Sequence, residues 1–126
     1  IMEFKIDTKP NFTHITPADT TIDAALSEAI ARKCIELTET GSKNFIIDLA
    51  NCNDADTKSL EEFVKLHEQC YEQEQSLVFT GVNTHVLGKM QENEIDLVIN
   101  VAPTEIEAID IINMEILERD LFKEEE

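Results

Sequence analysis

The segment Asn44–Leu60, NFIIDLANCNDADTKSL, constrains this chain more than any other. Phe45, Ile46 and Ile47 are consecutive apolar residues, two of them β-branched, and Leu49 follows after a single aspartate. So short an apolar run suits a strand covered on both faces. It ends in a polar, acidic turn, and helical spacing begins directly afterwards. The rest of the chain must therefore pack around a central strand, a loop and a helix start.

Upstream, Glu3–Thr8 alternates, with Phe4 and Ile6 opposite Glu3, Lys5 and Asp7. Phe12–Thr16 alternates again after the Lys9, Pro10, Asn11 turn, which predicts a hairpin. Thr20 and Asp23 resemble a capping box with Asp in the usual place of Glu. From Ile22, the apolar residues Ala25, Leu26, Ala29, Ile30, Cys34 and Leu37 predict an amphipathic helix that stops near Gly41. After the central strand a helix begins at Thr57 or Ser59, with Leu60, Phe63, Val64, His67 and Tyr71 facing inward. Ser59 with Glu62 forms a capping-box pair, and Asp56 is an alternative cap. Ser76–Thr80 predicts a strand, Thr84–Glu92 a short helix, and Leu97–Val101 a further strand.

Thr104 with Glu107 is the clearest capping box and opens the last helix. Ile106, Ile109, Ile112 and Ile116 predict a core stripe along it. Met114, Leu117 and Leu121 fall on an adjacent stripe, which either widens the core face or forms a self-association surface. The terminal Lys-Glu-Glu-Glu is expected to be a solvated, frayed end.

Two strands, then helices alternating with strands, predict an α/β fold: a mixed β-sheet of four to five strands with about four helices. The length of 126 residues suits one domain over 1–126, with 113–126 an extended end of the last helix. Ile1 precedes Met2, so the natural start is expected at Met2. The N-terminus lacks the pattern of a signal peptide, and no apolar stretch approaches the roughly 20 residues that span a bilayer. A cytoplasmic protein is expected.

Charge narrows the partners. There are 27 acidic residues against 10 basic ones, a formal net charge of −17. Such a surface repels phosphate backbones and anionic lipids, so neither nucleic acid nor membrane is an expected partner. Cys34, Cys52 and Cys70 form no CxxC pair and read as buried or incidental thiols. Asp48, Asp54 and Asp56 are the densest carboxylates near a strand end. Asp48 is placed inside the strand, however, and a cap and a turn account for the other two, so no metal or other cofactor is expected. His14 reads as an ordinary strand residue, and His67 with Tyr71 as residues at the edge of the core. No nucleophile motif is recognisable, so no catalytic residue is assigned.

Three segments together resemble a known family. GSKNFIIDLANC is similar to a GxxxVVLDLSGV strand. DTKSLEEFVKLHEQC stands in the place of DSSGLGVLLxxxxxA. SLVFTGVNTHVLGKM followed by INVAPTEIEAI is like LVLVGVxPxVxxVL and a closing strand with PTEEEAL. From Gly41 to Ala108 the chain thus resembles a STAS domain, the fold of bacterial anti-sigma-factor antagonists; the first forty residues fit only by pattern. The resemblance implies a STAS-like fold and a non-catalytic module that regulates transcription by binding a protein, an anti-sigma factor or kinase-like protein. In the family, the DSSG loop and the following helix bind the partner, and phosphorylation of the second serine releases it. Here Asp56 matches the aspartate and Thr57 the first serine, while Lys58 stands at the phospho-acceptor and Ser59 at the glycine. A lysine takes no phosphate from a serine kinase, and it places a cation where the family adds roughly two negative charges. A one-residue slip would make Thr57 or Ser59 the acceptor, but Leu60 anchors the alignment.

The expected partner-binding residues are Asp54, Asp56, Thr57, Lys58, Ser59 and Glu62. The alternative is a self-associating scaffold, a homodimer through Met114, Leu117 and Leu121. A nucleotide or small-ligand binder is disfavoured, since Gly41, Gly81 and Gly88 are the only glycines and no phosphate-cradling motif is present.

Overall fold

A computed structural model describes residues 2–125. Ile1 and Glu126 lie outside the described residues, while residues 123–125, expected to belong to a frayed end, continue the last helix. In chain order the elements are β1 (Phe4–Thr8), β2 (Thr13–Pro17), β3 (Thr21–Ile22), α1 (Ala24–Glu39), β4 (Phe45–Asp48), β5 (Asp54–Ala55), α2 (Thr57–Glu72), β6 (Leu77–Thr80), α3 (Thr84–Glu92), a 3-10 turn (Ile95–Leu97), β7 (Asn100–Ala102) and α4 (Glu105–Glu125).

Alternation along β4 decides the layering. Phe45 and Ile47 enter one cluster with Ile15, Leu77 and Phe79, which α1, α2 and α3 cover with Leu26, Ile30, Leu60, Phe63 and Val86. Ile46 points to the other face and meets Val78, Ala102, Ala108 and Ile112 beneath α4. All three β4 residues are fully buried, as a central strand requires. Phe63 stacks on Phe79 with ring centroids 4.5 Å apart, which adds about 0.5–1.5 kcal/mol to their burial. The sheet order is β1-β2-β4-β6-β7, with β1 antiparallel to β2 and the remaining neighbours parallel. The fold is therefore a mixed α/β sheet of five strands with four helices.

Local chemistry moves several boundaries. The first helix begins at Ala24 because Asp23 is its cap, accepting from the Leu26 amide at 2.9 Å. Thr20 does not cap it: the carbonyls of Thr20 and Ile22 accept the amides of Asn53 and Asp56, and Thr21–Ile22 becomes a short strand parallel to Asp54–Ala55. Asp56 likewise caps α2. The expected Leu97–Val101 strand shifts to Asn100–Ala102. Ile95 and Ile99 both enter the core, and a spacing of four requires a turn, closed by the Ile99 amide on the Ile95 carbonyl at 3.1 Å. Leu97 and Val98 are left exposed on it.

Helix α4 separates its apolar residues into two faces. Ala108 and Ile112 are fully buried, with Ile109, Ile111 and Ile116 packed beside them. Ile106 does not join them. It is six residues from Ile112, well off that stripe at 3.6 residues per turn, and is 73% exposed. Met114, Leu117 and Leu121 are 61%, 59% and 51% exposed on the outer side, so they do not widen the core face.

Candidate functional site

The loop after β4 lies at the carboxyl ends of the parallel strands, where open α/β sheets usually place function. Asp48 is the last strand residue rather than an interior one. Its Oδ1 accepts the Ala50 amide at 3.0 Å, and its Oδ2 lies 3.4 Å from His14 Nε2 on the neighbouring strand. The chain then turns tightly, with the Cys52 amide on the Leu49 carbonyl at 3.0 Å.

Both flanks of the loop are held. On one side the Asn53 and Asp56 amides bind the Thr20 and Ile22 carbonyls at 2.7 and 2.9 Å, and the Asn51 amide group donates to the Pro17 carbonyl at 3.0 Å. On the other side, Asn83 donates to the Cys52 and Asn53 carbonyls, while its own Oδ1 caps α3 through the Val86 amide at 2.8 Å. One asparagine thus joins the loop to a helix start. Asp54 carries the remaining tie. Its Oδ1 meets Lys89 Nζ at 2.8 Å, His85 Nε2 at 2.9 Å and the Ala55 amide at 2.7 Å, and Lys89 also donates to the Ala55 carbonyl at 2.7 Å. The bond from Lys89, then those from the Ala55 amide and His85, hold the Asp54 carboxyl well below the usual carboxylate range.

The start of α2 forms the projecting part. Asp56 Oδ1 accepts the Lys58 amide at 2.9 Å. Asp56 and Lys58 are exposed, Thr57 and Glu62 half-buried, and Glu62 pairs with Lys65 at 3.1 Å. Ser59 departs from the expected surface. It is 2% exposed, and its carbonyl accepts Ser27 Oγ of α1 at 3.0 Å. With Leu60 it anchors α2 to the core, because the third helical position turns under the first turn. The surface offered to solvent is thus Asp54, Asp56, Thr57, Lys58 and Glu62.

Lys58 differs from most cations of the chain in having no carboxylate partner among the described residues. It also stands at the positive end of the α2 dipole, where a cation is disfavoured. His85, Lys89 and Asn83 were missing from the sequence reading. Their spacing at 85 and 89 puts a histidine and a lysine on one face of α3, but nothing in the sequence shows that Asp54, some thirty residues earlier, meets them. His67 and Tyr71 sit at the edge of the core: their rings are 4.3 Å apart, and Tyr71 donates to Glu115 at 2.5 Å. Cys34, Cys52 and Cys70 are buried free thiols, and burial pushes the thiols of Cys52 and Cys70 up to about 11.

The STAS domain family profile matches residues 3–108. The chain belongs to the STAS domain family. The STAS match also covers the N-terminal hairpin and first helix. No curated protein matches the sequence. Among solved structures, an anti-sigma factor antagonist from Mycobacterium paratuberculosis is similar at 13% identity and TM-score 0.69, over 90% of this chain and 95% of that one. A STAS domain protein from Planctomyces limnophilus is similar at 19% identity and TM-score 0.68, over 86% and 96%. The Bacillus antagonist SpoIIAA is similar in its unphosphorylated form at 16% identity and TM-score 0.67, over 88% and 96%. Its phosphorylated form is similar at 14% identity and TM-score 0.60, over 87% and 99%. At such identities these likenesses establish the fold. Among the described residues, no helix is long and apolar enough to cross a membrane.

Proposed function

We propose that this STAS chain is a non-catalytic regulatory module that docks a protein partner through the surface from Asp54 to Glu62. The observation that carries this reading is Lys58: an exposed cation without a carboxylate partner among the described residues, on the first turn of α2, beside a loop fixed from both flanks. Fixed flanks suit docking, because a surface ordered before binding loses little entropy on association. In the family position of the phospho-acceptor serine, Lys58 makes a permanent positive charge, so the module works without the serine switch. The partner is a protein of the anti-sigma-factor or kinase-like class, met in the cytoplasm, where three free thiols stay reduced. The net charge of −17 favours a basic partner surface over nucleic acid or membrane. Residues 1–126 act as one STAS-like unit, with 113–126 an extended helix end.

The test is affinity capture from native cells followed by exchange of charge on the loop. Lys58→Glu and Glu62→Lys are expected to abolish capture of the partner while circular dichroism and Tm remain those of a folded domain. Partner binding equal to wild type in both variants would remove the loop from the interface.

A second reading rests on the outer face of α4. Ile106, Met114, Leu117 and Leu121 form an exposed apolar stripe that suits self-association. Repulsion between two acidic copies opposes it at low salt, so a homodimer should strengthen with ionic strength. Light scattering at 0.5 M NaCl should then give twice the monomer mass, and Leu117→Ser with Leu121→Ser should restore the monomer. A monomer mass at every salt and protein concentration rules this reading out.

A further inference from the structure

The amino ends of the parallel strands, opposite the docking loop, hold a cavity of about 460 Å³. It opens between the β1–β2 turn, the α1–β4 loop and the last turns of α4. Lys9, Lys43, Arg119 and Lys123 line it, four of the ten lysines and arginines in the chain, against two carboxylates, Glu74 and Asp120. Elsewhere acidic residues outnumber basic ones more than fourfold. The sign of the charge is thus reversed in one polar recess.

Arg119 is fixed in this recess by neutral groups. Its Nη1 donates to Ser76 Oγ and its Nη2 to Asn44 Oδ1, both at 3.1 Å. Asn44 is itself 6% exposed. Its Oδ1 also accepts the Ser76 amide, and its Nδ2 donates to the Asn11 carbonyl, each at 2.9 Å. The guanidinium is therefore oriented by a buried asparagine that joins the hairpin turn to β6. Although the chain has 27 carboxylates, neither Arg119 nor Lys43 pairs with one among the described residues. Lys9 and Lys123 make only long, exposed pairs, with Asp7 at 3.5 Å and Glu74 at 3.6 Å. Such pairs are worth little and are easily released.

We infer that this cavity is a binding site for a small phosphate-bearing anion, with Arg119 as its fixed point and Lys9, Lys43 and Lys123 as mobile charges that close on it. An oriented guanidinium matches the spacing of phosphate oxygens, and lysines add point charges from several directions. The volume falls in the range of small-molecule sites. Bound there, the anion lies at the far end of β4 from Lys58 and leaves the docking surface open. The inference is independent of the docking proposal.

The test is a ¹H–¹⁵N NMR titration with inorganic phosphate, against sodium chloride and citrate at matched ionic strength. Phosphate is expected to give saturable shifts at the amides of residues 41–44 and 119–123, with chloride giving none and citrate weaker ones. The Lys9→Gln, Lys43→Gln double variant should bind phosphate about tenfold more weakly, the loss of one charge-assisted hydrogen bond. Both positions are exposed, so the fold is retained, and the same spectrum checks it. Arg119→Lys keeps the charge and loses the fork, and it should also weaken binding. Non-saturating shifts, equal shifts with chloride, or unchanged affinity in the double variant would overturn the site. Citrate binding as tightly as phosphate would overturn the assignment to phosphate.

Discussion

Gly81, just after β6, is the residue at which the backbone tolerates least. Its φ is +70°, a region that side chains rarely occupy, and a Cβ there would collide with Asp48 Oδ1 and lie 3.0 Å from the Ala50 amide. The Asp48 carboxylate cannot move aside freely, because the Ala50 amide holds it. Gly81→Ala should therefore cost about 2–5 kcal/mol, from left-handed strain of about 1–2 and overpacking of about 1–3. Urea unfolding measures it, and a loss below 0.5 kcal/mol would contradict the packing described. The sequence shows a glycine after a strand; it does not show that the β4 loop comes back across it. The same limit applies to the loop between β4 and α2. Asp56 was legible as a cap and Lys58 as the odd residue of its motif, since both are local facts. The burial of Ser59 was not, because it depends on α1 lying against the first turn of α2.

Between elements, one polar group joins α2, β7 and α4. Asn100 donates to Tyr71 at 2.6 Å and Tyr71 to Glu115 at 2.5 Å, with the His67 ring tilted against the Tyr71 ring. Burial lowers the His67 pKa below 6.5, against the opposing pull of Glu115 and Glu68. The folded state then binds fewer protons than the unfolded chain just below that value. Stability is complete above pH 6.5 and falls as the pH drops toward the folded pKa. Urea unfolding at pH 7.0 and 5.5 should show this loss, and His67→Gln should flatten it in that interval; an equal slope in the variant would deny His67 the role. Element identities were legible wherever periodicity was long: α3 spans Thr84–Glu92 as expected, α2 starts at Thr57, the earlier of its two expected starts, and α1 and α4 differ by a residue or two at theirs. The short pieces were not. Thr21–Ile22 and Asp54–Ala55 are strands only because they meet each other, and the 3-10 turn is set by the need to bury Ile95 and Ile99. On α4 the outer stripe could be seen in the sequence, but which apolar residues faced the sheet depended on the exit from β7.

At the scale of the molecule, charge and layering act against one another. Apolar clusters on both faces of the sheet hold the fold, while a net charge of −17 pushes its surface apart. Raising NaCl from 20 to 200 mM should therefore increase Tm, with each kcal/mol recovered worth roughly 4 °C for a domain of this size. A Tm that falls with salt in calorimetry would mean that attractive pairs outweigh repulsion. The order of strands and helices, and with it the mixed sheet, was legible from the alternation of periods; the order β1-β2-β4-β6-β7 belongs to the structure. That order leaves β1 outermost, with most of its residues exposed and its far edge unpaired. An open edge invites a strand from another chain, yet Lys5 and Asp7 project from this one, and a flat, repeating copy would have to stack like charges at each. Strand addition is thus discouraged at β1, and the opposite edge, β7, presents only the three residues Asn100–Ala102 to a newcomer.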